Sequence, residues 1–178
     1  MTLAEAAAEA EALAERGAER ELAELRARWA DEVEAAVREA DYRQRAVGYR
    51  AVGQFRFRQK LELLRRGLED ESPACRGSAL LSLERLSREG PGAVNAVRPL
   101  LHELASRDGN AAVRRLALVC LRNGSAHRDT IVLLAGIAEN EDEDAELRAV
   151  ARRSALDLKR KDAEATRARN VDERRERG

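Results

Sequence analysis

Residues 70–79 read DESPACRGSA, and the same spacing of an acid, a base and a small residue returns twice further along the chain. In each stretch an Asp is followed six residues later by an Arg, and three residues after that by an Ala. The three sets are Asp70–Arg76–Ala79, Asp108–Arg114–Ala117 and Asp142–Arg148–Ala151. The interval between the arginines falls within the roughly 20 to 50 residues of known repeat architectures, so the sequence predicts stacked repeats that bury their apolar faces against one another.

Apolar residues at helical spacing place two helices in each repeat. We expect the repeats at 54–89, 92–124 and 127–160, separated by the turn residues Gly90-Pro91-Gly92 and Asn123-Gly124. Alanine, leucine, arginine and glutamate are abundant, and all four favour helices. The predicted fold class is therefore all-α, a short right-handed α-solenoid of about three helix pairs.

This spacing of Asp, Arg and Ala resembles the opening of the second helix in HEAT repeats, including the short phycobilin-lyase-like variety. The resemblance covers residues 61–160 of this chain. It implies repeats built from helix pairs and a protein that binds other molecules through their surface. It also implies a bilin-lyase-like enzyme as an alternative function, although on family analogy alone.

The nine residues of the repeated pattern have a structural interpretation. A loop Asp can cap the second helix of its repeat by accepting a hydrogen bond from a first-turn amide. The Arg, one turn into that helix, can reach the Asp of the neighbouring repeat. We therefore expect Arg76, Arg114 and Arg148 to stabilise the fold rather than to bind a ligand.

Residues 1–53 are expected to form a helical extension that could cap the solenoid, with residues 2–47 as one long helix or two collinear helices. The first 41 residues hold twelve acids and five arginines, whereas residues 42–66 hold eight bases and a single acid, Glu62. Residues 161–178 are polar, and we expect this tail to be frayed or disordered.

The basic segment 43–66 has the strongest sequence case for a binding site. Its candidate contacts to phosphate or to a partner are Arg43, Arg45, Arg50, Arg56 and Arg58. Arginines bind phosphate in a bidentate manner, and the interleaved tyrosines and phenylalanines could stack on bases. Two other interpretations remain open: the segment could neutralise the acidic helix that precedes it, or it could bind an acidic protein.

Nothing in the sequence suggests catalysis. The two histidines, His102 and His127, have no Ser or Cys partner placed for nucleophilic chemistry, and no phosphate-binding or metal-binding motif is present. Cys75 and Cys120 lie among apolar neighbours, where a thiol acts as a small hydrophobic residue. We therefore expect a non-enzymatic protein without a cofactor.

The charge and hydropathy of the chain bear on its partners and its compartment. It has 33 basic and 33 acidic residues, so its net charge creates no general attraction to nucleic acid or to membranes. No apolar run approaches the roughly 18 residues that a transmembrane helix needs, and no signal peptide is evident. We expect a cytoplasmic protein without a membrane span.

The leading functional hypothesis is a HEAT-like scaffold or adaptor that binds a protein partner on the concave face of its repeats. Helical phase predicts the contacts on that face to be Arg85, Arg88, Arg115, Arg122, Arg152 and Arg153. The alternative is a nucleic-acid-associated protein that uses the Arg-rich segment 43–66.

Overall fold

The computed structural model describes residues 1–176, and within that range it contains ten α-helices, one 3-10 turn and no strand. The all-α prediction is confirmed. The helices are α1 (Leu3–Glu15), α2 (Glu19–Ala36), α3 (Tyr42–Gln54), α4 (Leu61–Leu68), α5 (Pro73–Leu86), α6 (Gly92–Ala96), α7 (Arg98–Arg107), α8 (Ala111–Arg122), α9 (Arg128–Glu139) and α10 (Ala145–Glu176). The 3-10 turn, Arg58–Lys60, joins α3 to α4.

Residues 2–47 are not the one long helix or two collinear helices that the sequence predicts, because the N-terminal segment folds back on itself as α1, α2 and α3. Gly17 turns the chain between α1 and α2 with a φ of +70°, which glycine adopts without strain. The side chain of Asp41 accepts a hydrogen bond from the amide of Arg43 at 2.9 Å and begins α3. Since α1 packs on both α2 and α3, its buried alanines and Leu13 belong to the core.

Eight of the helices form four consecutive pairs, α2–α3, α4–α5, α7–α8 and α9–α10, whose members pack against each other. The later helix of each pair (α3, α5, α8 and α10) is called a second helix below. In addition, α3 packs against α5, α5 against α8 and α8 against α10, so the second helices form a row. The pair α2–α3 lies within the segment that the sequence assigns to an extension.

The stretch from Val94 to Leu104, which the sequence predicts as one helix, is divided into α6 and α7 at Val97. Pro99 is the second residue of α7. Proline has no amide hydrogen to donate, so it fits the first turn of a new helix and disrupts the interior of a longer one. Val94 and Leu104 are nevertheless both buried in the core.

The C-terminal segment also differs from its prediction. The sequence predicts a frayed tail over residues 161–178, but α10 continues to Glu176 with every residue beyond Leu158 exposed. Alanine, arginine and glutamate dominate this stretch and favour a helix even without a buried face. Residues 177 and 178 lie outside the described residues. Between residues 1 and 176, no helix is both long enough and apolar enough to cross a bilayer.

Candidate interaction surface

Each second helix carries an arginine as its fourth residue, and the first three of these arginines bind the helix pair that follows. Arg45 of α3 donates to both carboxylate oxygens of Asp70, at 2.9 and 3.0 Å. Arg76 of α5 makes the same bidentate contact with Asp108, at 2.7 and 3.0 Å, and so reaches the Asp of the next repeat. We call this series of contacts the arginine ladder.

The third contact of the ladder differs from the prediction, because Arg114 of α8 binds Glu143 and not Asp142. The two terminal guanidinium nitrogens of Arg114 donate to the two carboxylate oxygens of Glu143, at 2.8 and 2.6 Å. In the loop before α10, Asn140 accepts the amide of Asp142 at 3.1 Å and forms the turn that an aspartate forms in the two earlier loops. The turn therefore uses an amide side chain, and the charge for Arg114 comes from Glu143.

The loop aspartates do not cap the second helices as the sequence predicts. Asp70 and Asp108 each accept a hydrogen bond from the amide two residues later, which is still in the loop. The cap of α8 is Asn110, whose side chain accepts two first-turn amides. In front of α10, the side chain of Asp144 accepts a first-turn amide at 3.0 Å.

Arg45 is the ladder member that sequence reasoning missed, since it was assigned to the candidate phosphate-binding segment. Glu39 lies six residues before it and Gly48 three residues after it, so the pattern is present with Glu for Asp and Gly for Ala. Gly48 meets the need for a small residue, because a Cβ there would lie 2.9 Å from side-chain atoms of Ala36 and Val37. A sequence pattern that accepts Glu in place of Asp and Gly in place of Ala therefore identifies α2–α3 as an additional unit.

The ladder is shielded from solvent, and the pKa values of two of its acids are lowered. The side chains of its three paired arginines are only 12–17% exposed. The hydrogen bond from Arg114 lowers the pKa of Glu143, although burial opposes the shift. For Asp70, burial raises the pKa, but hydrogen bonds from Arg45 and from the Ser72 amide outweigh burial and the pKa is lowered.

A second set of hydrogen bonds joins the same row of helices in a constant register. The tenth residue of a second helix donates from its side chain to the carbonyl of the eighth residue in the preceding second helix. The pairs are Ser82 with Tyr49 (2.6 Å), Cys120 with Leu80 (3.3 Å) and Ser154 with Leu118 (3.2 Å). Neighbouring second helices therefore meet in the same way at three successive junctions.

Most of the six arginines predicted for a concave face have partners within the chain. Arg85 pairs with Glu11, Arg88 with Glu84, Arg115 with Glu146, Arg122 with Asp157, and Arg152 with the carbonyl of Ala138. Three of these contacts connect α5 to α1 or α8 to α10. Arg152 contacts α9 of its own helix pair.

The structure does not bring the five arginines of the segment 43–58 into one patch. Arg45 belongs to the ladder, and Arg58 pairs with Glu89. Arg56 has a φ of +57° and donates to the carbonyl of Arg85 at 3.5 Å. Arg43 is exposed at the start of α3, 5.8 Å from the ring of Tyr42, and the other end of this 13-residue helix is roughly 20 Å away.

The basic segment neutralises part of the acidic N-terminal region. Lys60, in the 3-10 turn, pairs with Glu34 of α2. In addition, Arg26 of α2 donates a hydrogen bond to the carbonyl of Phe55, the residue after α3, at 2.7 Å. These contacts hold α2 against the end of α3.

The outer surface of the row of second helices carries their ninth residues, which point away from the buried seventh and eleventh residues. These ninth residues are Arg50, Leu81, Val119 and Arg153. Leu81 and Val119 are half-buried, and neither is among the apolar side chains packed against the core. Arg50 and Arg153 are exposed, and their side chains form no hydrogen bond or ion pair within residues 1–176. We call these four residues the outer strip.

A scan of the chain against models of known protein families matches none of them, and a search among curated proteins finds no similar protein.

Proposed function

We propose that this chain is a HEAT-like α-solenoid that acts as a non-enzymatic scaffold or adaptor for a protein partner. The arginine ladder supports the solenoid, because the same arginine at the same helical position joins each helix pair to the next. The tenth-residue hydrogen bonds support it independently, since they repeat the register of the second helices. In such a solenoid the second helices line the binding face.

The observation that carries the binding function is the outer strip. Half-buried Leu81 and Val119 offer apolar area in its centre, and the exposed charges of Arg50 and Arg153 lie at its two ends. Apolar centres surrounded by polar residues are typical of protein interfaces. The strip therefore fits an acidic, partly apolar segment of another protein.

Two alternatives have less support. Binding of nucleic acid through segment 43–66 would use Arg45 and Arg58, which already bind Asp70 and Glu89. A bilin-lyase-like reaction would call for a reactive thiol. Both thiols are buried, and burial raises the pKa of Cys75 and of Cys120.

The test is affinity capture with the tagged chain from cells that express it, comparing the wild type with a Leu81→Asp, Val119→Asp variant. The matched control is Ala23→Asp, Ala27→Asp, which adds the same two charges to exposed positions of α2. We expect the first variant to lose its partners and the control to keep them, with both melting as the wild type does.

Equal capture by both variants would contradict the proposal. Binding of a labelled oligonucleotide that weakens from ~50 to ~150 mM salt, and that Arg43→Glu abolishes, would favour the nucleic-acid alternative instead.

A further inference from the structure

The last helix pair, α9–α10, presents the same surface that every earlier pair uses to contact its successor. Arg148 is the fourth residue of α10, where Arg45, Arg76 and Arg114 bind the following pair. Arg152 is its eighth residue. The eighth residue of α3, Tyr49, is buried against α4, where a Cβ on Gly67 would lie 2.8 Å from its ring.

Two apolar residues complete this surface. Leu156 is the twelfth residue of α10, and the twelfth residue of α8, Arg122, reaches Asp157 in the next pair at 3.9 Å. Val132 is the fifth residue of α9, and the fifth residue of α7, His102, contacts Thr130 of the next pair at 2.8 Å. We call Val132, Arg148, Arg152 and Leu156 the C-terminal end face.

This end face is uncovered in the described part of the chain. Val132 is 63% exposed and Leu156 is 60% exposed, although both are large apolar residues. The Nε atom of Arg148 is buried and has no hydrogen-bond partner among the described residues. No carboxylate within residues 1–176 pairs with this guanidinium, so a carboxylate supplied from outside could bind its terminal nitrogens, as Glu143 binds those of Arg114.

The opposite end of the molecule offers a complementary surface on α1. Ala4, Ala8 and Ala12 form an exposed line at four-residue spacing, opposite the buried face of this helix. Glu5 and Glu9 are exposed beside that line, and the helix Leu3–Glu15 contains no base. This N-terminal end face is therefore smooth and acidic, whereas the C-terminal end face has apolar projections and is basic.

We propose that copies of this chain bind end to end, with the C-terminal end face of one copy on α1 of the next. Leu156 and Val132 would pack against the alanine line, and Arg148 and Arg152 would pair with the glutamates beside it. Small residues let two helices approach closely, as neighbouring second helices already do within the chain. Two C-terminal end faces cannot pair in this way, because their arginines would face each other.

An interface between two different faces does not close on itself unless the rotation forms a ring, so the expected product is an open chain of copies. Each contact is small and partly ionic, which predicts weak association that salt reduces. This inference goes beyond the scaffold function and does not rest on it, since the outer strip and the two end faces share no residue.

The test is sedimentation of the full chain over a wide concentration range at ~50 and ~500 mM salt, where the Debye length falls severalfold. We expect the average mass at low salt to rise from the 19.7 kDa monomer past the dimer without a plateau, and to return to the monomer at high salt. A monomer at every concentration would overturn the proposal, and a plateau at the dimer would indicate a symmetric interface and overturn it as well.

Three variants identify the faces. Arg152→Gln, Leu156→Gln blocks one end and Ala8→Arg, Glu9→Arg blocks the other, and each variant alone should be monomeric. Their equimolar mixture should form a heterodimer and stop there, because each variant keeps one intact end and the two altered ends carry no complementary charges. Arg167→Gln, Val171→Gln is the matched control, with the same exchange and spacing on the exposed part of α10, and it should associate as the wild type does. Absence of the heterodimer would overturn the assignment of the faces.

Discussion

The junction between α5 and α8 and the uncovered face of α10 carry the same arginine at the same helical position, but in different surroundings. Arg76 is held by both oxygens of Asp108, whose side chain is only 3% exposed. Arg148 finds no carboxylate, and its Nε is buried without a partner in residues 1–176. The repeated spacing therefore identifies a place where one helix pair meets the next, and the following pair decides whether the arginine is satisfied.

Replacement of Arg76 tests the closed junction and has the largest expected effect. Arg76→Met leaves the carboxylate of Asp108 buried without a counter-charge, and we expect it to lower the free energy of unfolding by about 3 kcal/mol. Arg148→Met, at the open end, should change it by less than about 0.5 kcal/mol or raise it slightly. Urea unfolding of the two variants measures the difference, and equal losses would show that position four has the same role at both places.

Two glycines, one at a junction and one on an open surface, extend the same comparison. Gly53 lies at the α3–α5 junction, where an added Cβ would lie 2.6 Å from the backbone of Ser82. We expect Gly53→Ala to destabilise the protein by about 2 kcal/mol through overpacking.

Gly136, in α9, has open space where a Cβ would be added. Gly136→Ala should stabilise the protein by roughly 0.5–1 kcal/mol because alanine restricts the unfolded chain and favours the helix. In thermal melts, Gly53→Ala should lower the melting temperature and Gly136→Ala should raise it. Destabilisation by both variants would contradict the proposed packing.

The pH dependence of stability tests the contact between Arg114 and Glu143. The pKa of Glu143 is lowered from its ordinary value of 4.5, chiefly by the hydrogen bond from Arg114. A carboxyl group with a lowered pKa in the folded state contributes stability above its unfolded pKa, and this contribution is lost as the pH falls through the folded value. The stability difference between the wild type and Arg114→Met should therefore be constant above about pH 5 and shrink below it.

Urea unfolding from pH 7 to pH 3 checks this expectation. A difference that stays constant down to pH 3 would mean that Glu143 is not the group that Arg114 holds.

The smallest effect is expected from the exposed ion pair between Arg58 and Glu89, whose side chains are 63% and 59% exposed. Water and salt screen such pairs, so Arg58→Ala should cost less than about 0.5 kcal/mol. Chemical unfolding at two salt concentrations measures it. A cost as large as that of Arg76→Met would remove the distinction between the shielded ladder and the surface.

The helices of the predicted repeats, apart from the break at Val97, and one ladder contact could be predicted from the sequence, because they depend on local spacing. The pairing of Arg76 with Asp108 follows from the spacing of Asp, Arg and Ala that repeats in three units. The partner of Arg114 could not be predicted in the same way. The turn before α10 is formed by Asn140 and not by an aspartate, and the carboxylate that binds Arg114 is that of Glu143.

The first helix pair was missed for a related reason. Its unit has Glu39 and Gly48 where the others have Asp and Ala, and Arg45 was grouped with its basic neighbours along the chain. The partner of Arg45 lies 25 residues away and becomes adjacent only when α3 packs against α5. Sequence proximity grouped these arginines, whereas packing separates them into a junction residue, Arg45, and residues at different places on the surface.

A double-mutant cycle between Arg45 and Asp70 tests the central claim most directly, because Arg45 is either a junction residue or part of a binding segment. Arg45→Met, Asp70→Asn and the double variant would be compared with the wild type by urea unfolding. We expect a coupling free energy of about 2 kcal/mol, similar to that of Arg76 with Asp108. Coupling near zero, with Arg45→Met as stable as the wild type but unable to bind an oligonucleotide, would contradict the ladder and restore the Arg-rich segment as a binding site.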